Sequence, residues 1–239
     1  MQPSLIETMK ADAMGKVVLL PYHLRRLKQS ALALGYAFPG DDTVIAAIQG
    51  ALDQAGSASP ISAAANTSHP SSHAIDISGT RVRLLLNPLG QLDIQTAPLP
   101  ALQGVPFVAL THLRLDSAEP FLQHKTTHRP WYDATTQWLT LHPDYFDLIF
   151  LNEKDELCEG SRSNIYVLKE GRWLTPPLAS GLLGGVLRTH LLETGQAKEA
   201  ILTSLDFTAD KASIRLSNAL RGWFDVQLDP SILPGHFLP

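Results

Sequence analysis

The chain is poor in cysteine, has no surplus of basic residues and carries no long apolar run. Its single cysteine, Cys158, excludes an internal disulfide and fits a reducing cytosol. Lysine and arginine number 19 against 23 acidic residues, a formal net charge of -4. Without a basic surplus, neither nucleic acid nor an anionic membrane surface is indicated as a partner. The 9 histidines show no metal-ligand spacing, so no metal is expected. No apolar run approaches the ~20 residues that a membrane helix needs. The opening Met-Gln-Pro-Ser-Leu-Ile lacks the basic-then-apolar layout of a signal peptide. These absences point to a soluble, cytoplasmic globular protein. What is present, 239 residues with 44% hydrophobic side chains, suffices for one large domain or two modest ones.

Patterning along the chain predicts mixed α and β structure. Ser4–Met9 alternates, and Gly15–Leu20 follows a turn-like segment, so a hairpin closed by Pro21 is expected. From Tyr22, apolar residues recur at Leu24, Leu27, Ala31 and Leu34, the spacing of an amphipathic helix ended by Gly35. A second helix runs from Asp41 or Asp42, which can cap it, to Leu52. Residues 55–74 are rich in Ser, Ala and Pro and carry no charge until Asp76, which reads as a mobile surface loop; His69 and His73 within it are too few for a metal site. Strands are expected at Thr80–Leu86, Gln91–Thr96 and Phe107–Leu110. The polar, non-periodic Arg114–Pro120 suggests a connection between domains, giving a small domain over 1–115 and a larger one over 116–239. Beyond it, Trp131–Leu141 reads as helix, Phe146–Leu151 and Asn164–Leu168 as strands, and Gly184–Leu192 as a glycine-led helix. Ile201–Ser204 and Ser213–Leu216 read as two further short strands.

Four segments carry candidate chemistry. Lys125 stands in Phe121-Leu122-Gln123-His124-Lys125-Thr126-Thr127-His128-Arg129-Pro130-Trp131-Tyr132-Asp133, among apolar, small polar and aromatic residues. Such a lysine is either a solvated cation or an amine held in a pocket, ready to form a Schiff base. Glu159-Gly160-Ser161-Arg162-Ser163-Asn164 sets a carboxylate and small polar residues at the entrance to a strand. Ser180–Arg188 is a glycine-rich loop running into a helix, where free N–H groups bind phosphate. Ser217-Asn218-Ala219-Leu220-Arg221-Gly222-Trp223 offers a hydroxyl, an amide and a guanidinium in one loop. Each alone also reads as an ordinary turn or helix start.

Their order resembles the fold-type IV pyridoxal-phosphate enzymes, the class IV aminotransferases and aminodeoxychorismate lyases. The resemblance runs from about Leu5 to Asp225. His124-Lys125-Thr126-Thr127, Arg129, Tyr132-Asp133 and Arg221-Gly222-Trp223 are most similar to the aminodeoxychorismate lyase domains. It implies an α+β, two-domain architecture with the cofactor, pyridoxal 5'-phosphate, in the interdomain cleft, and a homodimer. It further implies that Lys125 carries the cofactor as an imine and moves protons, and that Glu159 pairs with the pyridine nitrogen. Val186, Leu187, Ser217, Asn218, Ala219 and Arg26 (rather than Arg25) would hold the phosphate. Where the superfamily often has Gly-Ile-Thr-Arg, this chain has Gly185-Val186-Leu187-Arg188, so Leu187 offers its N–H and no hydroxyl. Relatives usually have an additional strand and an Asp-Arg-Gly-type loop ahead of the first hairpin; this chain begins at about that hairpin, as lyase domains in fused proteins do.

The resemblance implies a 4-amino-4-deoxychorismate lyase forming 4-aminobenzoate and pyruvate. Its dicarboxylate substrate calls for arginines, with Arg221 first and Arg162 second; Thr8 aligns with a hydroxyl-bearing position. A transaminase of D-amino or branched-chain amino acids would use the same Lys125 and Glu159, and a degenerate relative would bind the cofactor without turnover.

Overall fold

The computed structural model describes residues 2–57, 77–209 and 212–229, and these fall into two compact units, one over Gln2–Leu102 and one from Gln103 onward. The expected 115/116 boundary thus lies thirteen residues beyond the observed division. The reason is the strand Phe107–Leu115, which continues past the expected Leu110 and pairs in parallel with Tyr145–Asn152. From residue 58 on, the expected loop 55–74, His69 and His73 included, lies outside the described residues.

In the first unit β1 (Leu5–Ala11), β2 (Ile77–Leu86) and β3 (Leu92–Pro100) form an antiparallel sheet in the order β1-β2-β3. The predicted hairpin between 4–9 and 15–20 is not formed. Leu5 lies opposite Leu86 and Ala11 opposite Thr80, so β1 takes its partner from β2. Of the second expected strand only an isolated bridge, Ala11 to Val17, survives. Pro21 sits instead in the first turn of α1 (Leu20–Leu34), where its missing N–H leaves no helix bond unmade. α1 buries His23, Leu27, Ser30 and Ala31, one stripe at helical spacing, and ends at Gly35 in the left-handed conformation, φ 70°. α2 (Asp41–Ser57) runs five residues past Leu52 and holds residues 55–57. Leu5, Met9, Leu27, Val44, Ile48, Val82, Leu84 and Leu86 pack into one core. Each such fully buried side chain is worth about 2 kcal/mol of transfer free energy.

The second unit is built on eight strands: β4 (Phe107–Leu115), β5 (Tyr145–Asn152), β6 (Leu157–Gly160), β7 (Asn164–Lys169), β8 (Arg172–Thr175), β9 (Lys198–Glu199), β10 (Ile214–Asn218) and β11 (Gly222–Leu228). Their order is β10-β11-β4-β5-β6-β7-β8-β9, and β10 also pairs with β7, so six of them close into a barrel. Among the described residues three helices accompany them: α3 (Asp133–Leu141), α4 (Val186–Glu193) and α5 (Ser204–Thr208). Ile201–Ser204 is not a strand; Thr203 makes a single bridge to Glu156, and its side chain and Asp206 cap α5 reciprocally. β5 is buried from Phe146 to Asn152, as its apolar run predicts for a strand covered on both faces. Among the described residues no helix is long and apolar enough to cross a membrane. The architecture is α+β, as expected.

Candidate active site

Lys125 follows a short 3-10 turn, Pro120–Gln123, whose start is capped by the Glu119 side chain accepting from the Phe121 N–H at 2.9 Å. The lysine is half-buried, and its charge acts on Glu159. It therefore does not stand out in bulk water, away from the acid.

Glu159 is buried at the end of β6. Its Oε1 accepts the Tyr132 hydroxyl at 2.6 Å and the Leu183 N–H at 3.0 Å; its Oε2 meets the Asn164 Nδ2 at 3.3 Å. Burial pushes its carboxyl up to about 7, against the pull of Arg129, of the Tyr132 and Leu183 hydrogen bonds and of Lys125. The Asn164 amide also donates to the Leu183 carbonyl at 2.9 Å, binding β7 to the loop that precedes α4. That loop approaches so closely that a Cβ on Gly185 would lie 2.0 Å from Asn164 Oδ1, and only glycine fits.

A second buried carboxylate, Asp147 of β5, binds the turn that follows β6. Its oxygens accept the Ser161 N–H and hydroxyl, the Arg162 N–H, the Ser163 hydroxyl and the Leu148 N–H, all between 2.7 and 3.0 Å. The loop Ser161–Ser163 is thereby folded around a single side chain. Arg162, at its tip, turns back: its Nε donates to the Phe146 carbonyl at 2.7 Å, its Nη2 donates to the same oxygen, and the guanidinium lies 4.8 Å over the Phe146 ring.

α4 begins at Val186 with Gly185 as its cap, and no side chain caps it. Val186 and Leu187 supply the first backbone N–H groups of that helix, which point outward from its positive end. Ser217 is buried and its hydroxyl meets the Tyr166 hydroxyl at 2.9 Å. Asn218, Ala219 and Arg221 form the turn between β10 and β11. The Asn218 side chain binds both neighbours: Nδ2 donates to the Arg162 carbonyl at 3.1 Å, and Oδ1 accepts the Arg221 N–H at 2.8 Å. Burial, and the charge of Arg162, depress the Arg221 guanidinium, so the two cations feel one another.

The second unit thus holds Lys125, Glu159, Arg162, Val186, Leu187, Ser217, Asn218, Ala219 and Arg221. Thr8 and Arg26 belong to the first unit. Thr8 lies in β1 opposite Arg83. Arg26 donates from Nε and Nη2 to the two Glu7 oxygens at 2.8 and 2.6 Å, and His23 Nδ1 meets the same carboxylate at 2.6 Å. Burial opposes charge on Glu7, but Arg26 and His23 outweigh it and hold the carboxyl at about 2.

Tyr132, Asp147 and Asn164 escaped the sequence reading as site residues. Asp147 left a signal, a lone acid within the apolar run Phe146–Leu151. Tyr132 and Asn164 lay inside the quoted segments with nothing in the sequence to mark their contacts.

These residues fit pyridoxal phosphate. A half-buried primary amine, a buried carboxylate with one oxygen short of partners and an uncapped helix start are the nucleophile, the acceptor and the N–H donors that its aldehyde, protonated ring nitrogen and phosphate require.

The pattern of the amino-transferase class IV family matches residues 4–228. A candidate aminodeoxychorismate lyase of Schizosaccharomyces pombe is 29% identical over 201 residues, 83% of this chain and 77% of that protein. A solved candidate amino-acid aminotransferase of Mesorhizobium loti superposes with a TM-score of 0.79 at 30% identity, covering 95% of this chain and 100% of the other. A candidate 4-amino-4-deoxychorismate lyase of Legionella pneumophila has the same fold, with a TM-score of 0.71 at 20% identity over 98% of this chain and 86% of its own. The chain belongs to the amino-transferase class IV family, whose cofactor is pyridoxal 5'-phosphate.

Proposed function

We propose that the chain is a 4-amino-4-deoxychorismate lyase, which splits its substrate into 4-aminobenzoate and pyruvate. The observation that carries this reading is the pairing of Arg162 and Arg221 through Asn218, in the unit that also holds Lys125 and Glu159. Asn218 bonds the backbones of both, and the charge of Arg162 reaches Arg221, so two adjoining loops carry two cations for a substrate with two carboxylates. The relative from Schizosaccharomyces pombe supports the same choice by its name.

When bound, the cofactor supplies an electron sink conjugated to the substrate nitrogen. Lys125 anchors it, and its Nζ takes and returns a proton. Glu159 would pair with the ring nitrogen and hold a negative charge there. The Val186 and Leu187 N–H groups and the Ser217-Asn218-Ala219 turn would hold the phosphate. Arg221 and Arg162 would orient the carboxylates. A ring C–H bond and the C–O bond to the enolpyruvyl group break, and the ring becomes aromatic, which drives the step. Atoms balance without a co-reactant. The same reading takes the protein as a cytoplasmic homodimer.

The second reading is a class IV aminotransferase acting on D-amino or branched-chain amino acids, favoured by the likeness to the Mesorhizobium loti structure. It needs an amino acceptor; the lyase does not. The deciding assay supplies aminodeoxychorismate to the cofactor-loaded protein without an acceptor, beside Lys125→Ala. Formation of 4-aminobenzoate and pyruvate by the parent alone supports the lyase. No product without an acceptor, with 2-oxo acid formed once one is added, gives the transaminase. Equal product from Lys125→Ala refutes the role given to the lysine.

A further inference from the structure

Tyr132 has no role in either reading above, yet it makes the shortest hydrogen bond that Glu159 receives. Its ring is buried and fixed on several sides. It meets the Phe150 and Trp131 rings edge-on, with centroids 5.2 and 5.9 Å apart, and the Arg129 guanidinium lies 4.4 Å over it. Its backbone is held as well, since its carbonyl accepts the Thr135 hydroxyl at 2.9 Å. A ring pinned in this way brings its hydroxyl to one place.

That place is Glu159 Oε1, which the Leu183 N–H also reaches, at 3.0 Å. Two donors satisfy Oε1. Oε2 has the longer Asn164 contact, 3.3 Å, and keeps capacity for another donor. We propose that Tyr132 is a positioning residue, whose phenol locks Oε1 so that Oε2 is offered to the pyridine nitrogen of the cofactor, with Arg129 clamping the phenol ring and favouring the ionised acid.

Burial, followed by the neighbouring carboxylate, raises the phenol far above its ordinary range, so it remains a donor throughout the working pH. The charged or titratable groups that act on Glu159 are Arg129, the Tyr132 hydroxyl and Lys125, and the neutral donors are Leu183 N–H and the Asn164 amide. All lie within one unit. The proposal rests on Glu159 as the ring partner, which the lyase and transaminase readings share, and not on the choice between them.

The test compares the parent with Tyr132→Phe, Glu159→Gln and the double variant. Dissociation constants for pyridoxal 5'-phosphate are read by titrating the apoprotein, and the absorbance of the loaded protein is followed against pH. Phenylalanine keeps the ring contacts, and circular dichroism of the apoproteins checks folding. Loss of one hydrogen bond to a charged group weakens cofactor binding by roughly tenfold in Tyr132→Phe. It also shifts the absorbance titration, which a purely structural contact would leave in place. Because Tyr132 acts through Glu159, the double variant binds no worse than Glu159→Gln. A Tyr132→Phe constant within twofold of the parent, or additive losses in the double variant, overturns the proposal. If Glu159→Gln itself changes neither constant nor spectrum, Glu159 is not the ring partner, and that underlying reading fails with it.

Discussion

Asp147 lies so tightly against Gly160 that a Cβ built on the glycine would stand 2.3 Å from the carboxylate Oδ2. The small residue is needed because the acid must reach past it to Ser161, Arg162 and Ser163.

Replacing Asp147 by Asn leaves an amide facing donors that need an acceptor. We expect a loss of about 3 kcal/mol in unfolding free energy, from unsatisfied buried donors. Denaturant unfolding of the apoprotein measures it. Gly160→Ala displaces the same carboxylate and should lower stability in the same direction, while a Ser161→Ala control, which removes one hydroxyl, loses only about 1 kcal/mol.

Glu7 holds Arg26 and His23 with a carboxyl near 2, below its ordinary 4.5. A lowered carboxyl contributes stability that is present above the unfolded value and is lost as pH falls toward the folded one. Glu7→Gln should therefore destabilise the protein at pH 7 by about 3 kcal/mol. The gap between variant and parent should shrink between pH 4.5 and 2, measured by thermal or denaturant unfolding across that range. A gap independent of pH would refute the buried ion pair as its source.

Glu159 behaves in the opposite sense. Its folded value, about 7, is raised above 4.5, so its contribution is fully present below pH 4.5 and is lost as pH rises through 7. In the apoprotein, Glu159→Gln should equal the parent near pH 4 and be more stable by about 3 kcal/mol above pH 8. Added cofactor should reverse that order at neutral pH, because a ligand bound more tightly by the parent stabilises the parent more.

On the proposed lyase reading, Arg221→Gln should raise KM for aminodeoxychorismate about tenfold with little change in kcat, since the guanidinium would bind a carboxylate that does not react. Arg162→Gln, exposed and with its head group turned to the Phe146 carbonyl, should have the smaller effect. Steady-state kinetics of the two variants decide between them.

Much of this arrangement was legible in the residues. Helix α1 followed from apolar spacing and a terminal glycine, because both are local signals. The buried strand β5 and the glycine-led α4 were likewise local. Partner choice was not: nothing within Gly15–Leu20 says that β1 will pair with β2, some seventy residues on, instead of with its neighbour. The short strand β6 and the returning β11 were missed for the same reason, since four residues at Leu157–Gly160 carry no periodicity of their own. Lys125 and Glu159 were singled out as candidates by the order of motifs. Tyr132 was quoted with them but its hydroxyl contact depends on a tertiary approach across 27 residues of chain.

Asn164 stands opposite Glu159 on β6 and opposite Ser217 on β10, whereas the turn carrying Ala219 and Arg221 lies past the last rung, Asn218 to Gly222. Barrel closure therefore ties the acid and the Ser217 end of the loop to one shared seam. The tip of the hairpin lies off that seam and is held by Asn218, whose Oδ1 accepts the Leu220 and Arg221 N–H groups. With the acid and Ser217 on the seam and Leu220 and Arg221 beyond it, exchange of those two residues is the route by which we expect substrate choice to change while the proposed cofactor-binding residues keep their places.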